Sequence, residues 1–188
     1  MTPEERSRAL RAEADVVLEL VHLRDHCAPI GELAPTGSYF MDLMMYPDID
    51  VYLPPTTPEA LLGVAVELSR YQCVQRMNYI RGEPGELADG LYLKPVVTYG
   101  NWERPWKIDI WSLPMAVIEH KQAELADLKA RMTPAQRGLI LHFKRELLNA
   151  AGRTPMYSGI FIYKAVIDRG LATLAEVCRF LRDSGVEV

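Results

Sequence analysis

Three aspartates stand in two short apolar runs, spaced as residues that share one face of a strand. Asp48 and Asp50 flank Ile49 in "PDIDVYL", and Asp109 lies between Ile108 and Ile110 in "WKIDIW". Alternate side chains of a β-strand point the same way, so Asp48, Asp50 and Tyr52 share a face while Ile49, Val51 and Leu53 turn to the core. Lys107, Asp109 and Trp111 repeat the pattern, with Ile108 and Ile110 on the opposite face. Two carboxylates held side by side raise the cost of ionising one another, and a hard divalent cation such as Mg²⁺ or Mn²⁺ removes that cost. If the two strands are neighbours, Asp109 joins as a third ligand. Three such acids suit a two-metal arrangement for phosphoryl or nucleotidyl transfer.

Nine residues separate this pair from Gly37-Ser38. Glycine lets backbone approach a phosphate, N–H groups at the start of a following helix favour anions, and Ser38 adds a hydroxyl donor. The apolar "YFMDLMM" between the two parts is expected to be a short helix that sets their distance, with Asp42 a solvated residue, not a fourth ligand.

The elements that must hold these residues follow from caps and periodicity. Thr2-Pro3-Glu4-Glu5 starts a helix expected to run to about Arg24, with Leu10, Val17, Leu20 and Val21 on one face. Residues 29–35 supply a short strand, Gly37-Ser38 turns the chain, and Pro47 to Leu53 forms a second strand. Thr57-Pro58-Glu59 begins a helix to about Tyr71. Three strands follow, at Cys73 to Arg81, in "LYLKPVVTY" and in "WKIDIWSL"; Glu83-Pro84-Gly85 and Asp89-Gly90 mark the first connection between them. From Pro114 the composition turns to helix formers. One helix holds "MAVIEHKQAELADLKARM", a second starts at Thr133-Pro134 and is closed by Gly152, and two shorter ones cover about Gly159 to Asp168 and Thr173 to Asp183. The expectation is an α+β core over residues 1–113 with a mixed or antiparallel sheet, then a helical region over 114–188 that packs on it.

The chain has 188 residues, with 21 Lys and Arg against 25 Asp and Glu, a formal charge of -4. No dense basic block argues for nucleic acid. Cys27, Cys73 and Cys178 are odd in number and far apart, which fits packing residues in a reducing compartment better than a disulfide framework. The start Met1-Thr2-Pro3-Glu4-Glu5 is acidic where a secretory signal needs positive charge, and no apolar run approaches the roughly 18 residues of a membrane span. A soluble, cytoplasmic protein is expected.

Gly37-Ser38, nine residues, Asp48-Ile49-Asp50 and a later Asp109 between apolar strand neighbours together resemble the nucleotidyltransferase superfamily of the DNA polymerase β type, over about residues 30 to 113. The tail "GIFIYKAVIDRGLATLAEVCRFL" is similar to the helical tail of bacterial stand-alone proteins with this domain. The resemblance implies a nucleotidyltransferase-like mixed sheet with flanking helices. It implies that Gly37 and Ser38 contact nucleotide phosphates, that Asp48 and Asp50 bind catalytic metals, and that Asp109 completes the site. Pro47 stands where a small polar residue often precedes the first acid, and no arginine follows Gly-Ser within the helix, which leaves the preferred nucleotide open.

Other residues are weaker candidates. Lys94, Lys107, Arg76 and Arg81 lie on strands and could meet a triphosphate. Lys144 and Lys164 could reach the cleft from late helices, although lysine on an amphipathic helix is usually solvated. Glu119 could serve as base for an acceptor hydroxyl, against a solvated position as the plainer reading. His22, His26, His120 and His142 show no metal-ligand spacing. Trp102, Trp106 and Trp111 could stack on a base or pack in the core. The reading that follows is a metal-dependent transferase moving a nucleoside monophosphate group from a nucleoside triphosphate to a hydroxyl acceptor. The acidic net charge favours a small-molecule acceptor slightly over RNA or protein. The alternatives are a non-catalytic nucleotide-binding or regulatory module of the same fold and, further off, a glycosyltransferase using the paired acids alone; the chain lacks the alternating strand–helix series the last would need.

Overall fold

Thr2 caps the first helix reciprocally: its hydroxyl accepts from the Glu5 N–H at 3.2 Å, and the Glu5 carboxylate accepts from the Thr2 N–H at 2.8 Å. This helix, α1, spans Pro3–Leu20 in the computed structural model, which describes residues 1–82 and 90–188. It stops short of Arg24 because His22 takes a left-handed conformation with φ 46°, after which α2 restarts at Leu23–Cys27. The chain continues through β1 (Ala34–Thr36), α3 (Gly37–Met41), β2 (Asp48–Leu53), α4 (Pro58–Leu68), β3 (Val74–Arg81), β4 (Leu91–Val97) and β5 (Trp106–Ser112). The connection read at Glu83-Pro84-Gly85 and Asp89 lies outside the described residues. Four helices follow: α5 (Met115–Arg131), α6 (Pro134–Glu146), α7 (Ser158–Ile167) and α8 (Leu174–Asp183).

The five strands form one mixed sheet in the order β1-β2-β5-β4-β3. β2 and β5 run parallel, and the other neighbouring pairs are antiparallel. One face is apolar: Ile49, Val51, Leu53, Ile108 and Ile110 are at most 1% exposed and pack with Leu10, Val17, Leu61 and Leu68 from α1 and α4. The other face carries the polar residues of the same strands.

A second core lies among α5–α8, built on Leu125, Ile140, Phe143, Ile162, Val166 and Leu181. Met41, Leu43 and Met45 belong to it, whereas Met44 belongs to the sheet core. The segment between α3 and β2 is therefore shared by alternate residues.

α6 ends at Glu146, well before Gly152. The Asn149 side chain accepts from the N–H groups of Ala151 at 2.9 Å and Arg153 at 3.4 Å, and the Asn149 N–H donates to the Arg153 carbonyl at 2.9 Å. A side-chain amide that competes for backbone partners favours a turn over a further helical turn. The chain from Arg153 to Ser158 is thereby brought over the polar face of the sheet.

Candidate active site

The parallel pairing of β2 and β5 places Asp50 directly opposite Asp109 and Asp48 opposite Lys107. The three aspartates flagged by spacing thus come together on neighbouring strands at the floor of a cleft of about 780 Å³. Gly37 meets them from the side. It adopts φ +57°, and a Cβ built there would collide with the Asp50 carboxylate, so backbone and acid approach as only glycine permits.

The acids are crowded, and their electrostatics show it. Burial, joined by repulsion from Asp48 and Asp109, holds the Asp50 carboxyl well above the usual carboxylate range. Asp48 is raised by burial too, opposed by the Lys107 ammonium. Lys107 Nζ lies 2.7 Å from Asp48 Oδ1 and 3.7 Å from Asp109 Oδ2. The shorter contact is an ion pair whose direction leaves Asp48 Oδ1 without a well-formed hydrogen bond. Asp109 Oδ1 accepts from the Tyr92 hydroxyl at 2.8 Å, and desolvation and that acid push the Tyr92 phenol up.

Among the described residues, no three Asp, Glu, His or Cys side chains converge tightly enough to make a ready-formed metal centre. Lys107 stands between two of the expected ligands. The donor set still fits a hard divalent cation: three half-buried carboxylates, one with an oxygen lacking a directed partner, and two with raised affinity for protons.

Lys144 is 2% exposed, against the expectation of a solvated helix lysine. It donates to the Leu43 carbonyl at 2.6 Å and approaches the Tyr163 hydroxyl at 3.4 Å beneath the cleft. Burial lowers its pKa to about 8, although Asp50 and Asp48 favour its charge. Its position comes from a wider pattern. The backbone from the last turn of α3 to Met45 offers carbonyls that no strand or helix satisfies, and cationic side chains take them up. Lys129 donates to the Phe40 carbonyl, Arg137 to that of Asp42 at 2.9 Å, and Arg6 to that of Met45 at 2.8 Å. Asp42 is also ion-paired to Arg137 at 3.0 Å, away from the metal-type cluster.

Glu119 is exposed and does not line the cleft. Lys121, Glu124 and Leu125 form the inward stripe of α5, and Glu119 lies about 200° around the helix from Lys121. His120 reaches the rim. Lys94 and Lys164 line the cleft, the latter paired with Glu124 at 2.5 Å, whereas Arg76 and Arg81 point to solvent elsewhere on β3. Trp106 is buried in the sheet core and Trp102 donates to Glu13 at 2.8 Å; Trp111 is the tryptophan that reaches the cleft. Cys27 is buried, and its thiol is pushed up to about 12.

The far wall was not legible in the sequence. Arg153, Thr154, Met156 and Tyr157 from the turn before α7, and Ser158 at its first position, contribute it, with Met156 56% and Tyr157 65% exposed. A Ser and a Thr in a loop carry no motif; their position depends on where α6 stops. Six cationic residues (Lys94, Lys107, Lys121, Lys144, Arg153, Lys164) line the cleft with four acidic ones (Asp48, Asp50, Asp109, Glu124), although the whole chain is acidic.

No family model matches the chain, and no characterised protein matches it by sequence. Solved structures do match in shape. A cytoplasmic RNA terminal U-transferase superposes with a TM-score of 0.52 at 16% identity, over 84% of this chain and 47% of that one. The GLD-2/RNP-8 complex gives 0.51 at 15% identity, over 87% and 65%, and terminal uridylyl transferase 4 from Trypanosoma brucei gives 0.51 at 16%, over 90% and 60%. The chain spans between about half and two thirds of the length of these proteins. At such identities the likeness is one of architecture, and the chain has the fold of these nucleotidyltransferases.

Proposed function

We propose that the protein is a divalent-metal-dependent nucleotidyltransferase that moves a nucleoside monophosphate group from a nucleoside triphosphate to a hydroxyl. The observation that carries this reading is the register of Asp50 against Asp109, with Asp48 two residues away and Gly37 pressed against Asp50. A bound Mg²⁺ or Mn²⁺ would draw charge from the triphosphate and the attacking oxygen. Asp48, Asp50 and Asp109 are the residues that would hold it. The Gly37 backbone and the Ser38 hydroxyl grip phosphate oxygens, and Lys107, drawn away from Asp48, and Lys121 are placed to balance their charge. Asp109, oriented by the Tyr92 hydroxyl, accepts the acceptor's proton. The acceptor oxygen bonds to the α-phosphorus, the bond to the bridging oxygen breaks, and pyrophosphate leaves.

The superposed terminal uridylyl transferases support transfer of this general kind. A second reading, a nucleotide-binding module without turnover, is favoured by the Lys107 ammonium lying within the acid cluster. Calorimetry with ATP, GTP, CTP and UTP, each with and without Mg²⁺, separates the readings when paired with a pyrophosphate assay over a range of acceptors. Metal-dependent binding that disappears in Asp48→Ala/Asp50→Ala, with pyrophosphate release, is expected. Binding without release under every acceptor favours the second reading, and no binding of any nucleotide overturns both.

A further inference from the structure

The polar face of the sheet does not end at the acids. One step along the strands, a row of large side chains crosses it: register pairs Tyr52 with Trp111, Trp111 with Tyr92, and Tyr92 with Ile80. All four line the cleft. Tyr92 and Trp111 stack with ring centroids 4.1 Å apart and planes at 29°. Ile80 is 37% exposed. The Lys94 ammonium lies 5.5 Å from the Tyr92 ring centre, and Lys94 falls beside Asp109 between the Leu93–Ile110 and Val96–Lys107 pairs.

Aromatic residues on the solvent side of a sheet normally cover one another or an overlying element. Here Tyr92 is covered by its stack on Trp111, while Tyr52, Trp111 and Ile80 keep exposed surface on the cleft beside the acid that accepts the acceptor's proton, and Tyr92 joins the two by its bond to Asp109. Trp111 and Asp109 are two residues apart on one strand face, about 6.6 Å. That is the scale of one nucleoside, with its ring system on Trp111 and its sugar hydroxyl at Asp109. Lys94 supplies a cation next to both.

Resting on the transferase reading above, we infer that this row seats the terminal nucleoside of the acceptor, and that the acceptor is the 3′ end of a single-stranded nucleic acid. A ring platform, a cation and an acid within one nucleoside's reach match base, backbone phosphate and terminal hydroxyl. Stacking platforms beside positive charge are how single strands are held without sequence readout. The donor nucleotide's base lies elsewhere. Its phosphates are gripped at Gly37 and Ser38 on the β2 side of the acids, and the exposed Met156 and Tyr157 flank the opposite wall. The acidic net charge, which disfavoured nucleic acid, describes the outer surface and not this cleft.

The test uses the full chain with short oligouridylate and oligoadenylate carrying a free 3′ hydroxyl. Trp106 is buried and Trp102 sits against Glu13, so quenching of tryptophan fluorescence by oligonucleotide reports on Trp111. Both oligonucleotides are expected to quench the wild type. Trp111→Ala should weaken oligonucleotide binding and raise the acceptor KM by about tenfold or more, and Trp111→Phe should restore most of it. Affinity for the nucleoside triphosphate, measured separately by calorimetry, should stay within about twofold. Lys94→Gln, which leaves the rings in place, should weaken oligonucleotide binding and flatten its salt dependence.

The inference is overturned if neither oligonucleotide quenches, if free nucleosides bind as tightly as the oligonucleotides, or if Trp111→Ala weakens the triphosphate instead of the acceptor. Oligonucleotide binding that depends on Trp111 in a protein with no affinity for any triphosphate would uphold the seat and remove the transferase reading.

Discussion

Asp50 is the most strongly perturbed acid of the cluster, and its environment sets a testable trade between stability and function. Its folded pKa lies above its unfolded value, so the folded state binds more protons than the unfolded state between the two. Stability contributed by the neutral form is present below the ordinary carboxylate range and is lost as pH rises through the folded pKa. The cost of a buried, repelled charge therefore grows as pH rises above the ordinary carboxylate range towards the folded pKa. Asp50→Asn removes that charge while keeping size and shape. In metal-free buffer at pH 8 the variant should melt above the wild type; each 1 kcal/mol of relief would raise Tm by roughly 2–4 °C. Mg²⁺ should raise the wild-type Tm and leave the variant nearly unmoved. A variant that melts lower than the wild type, or that gains equally from Mg²⁺, would show that Asp50 is not held under repulsion.

At the scale of elements, α3 and the segment after it fix the distance between phosphate grip and acids. Gly37 opens α3 in a conformation that costs other residues about 1–2 kcal/mol, and the added Cβ would meet the Asp50 carboxylate. Gly37→Ala should therefore lower stability by at least that amount and, by displacing Asp50, cost most of the metal-dependent affinity for nucleotide; thermal melts and calorimetry on one preparation check both. Loss of stability with nucleotide affinity intact would mean that the close approach serves packing alone. The glycine, the serine and the acids were legible because each is a local requirement of a strand or a tight turn. The carbonyl partners of residues 40–45 were not. Arg6, Lys129, Arg137 and Lys144 are separated from that segment by up to 101 positions, and each looks like an ordinary charge on an amphipathic helix.

Over the whole molecule, residues 41–45 tie the two cores together, since Met41, Leu43 and Met45 enter the helical core and Met44 the sheet core. Arg6 of α1 and Lys144 of α6 both hold the same segment by its carbonyls. The two parts should then unfold together. The three tryptophans all lie in the sheet part and the far-UV circular dichroism is dominated by helices, so urea unfolding followed by both signals should give coincident midpoints. Separate midpoints would show that the helical region unfolds on its own and that the shared segment couples little.

The amino-acid sequence determined whatever depends on neighbours along the chain: capped helix starts at Thr2, Thr57, Thr133 and Thr173, the alternation that puts Asp48, Asp50 and Asp109 on the polar faces of their strands, and the glycine before them. Its periodicity could not say that β2 and β5 are parallel neighbours. Tertiary structure decided that, and with it the meeting of Asp50 and Asp109. It also decided that Lys144 is buried while Glu119 is not, that α6 stops at Glu146 so that residues 153–158 wall the cleft, and that an acidic chain lines this cleft with more cations than acids. Each of these depends on contacts between residues far apart in the chain, and their cost or gain is fixed only once the surfaces that exclude water from them have come together.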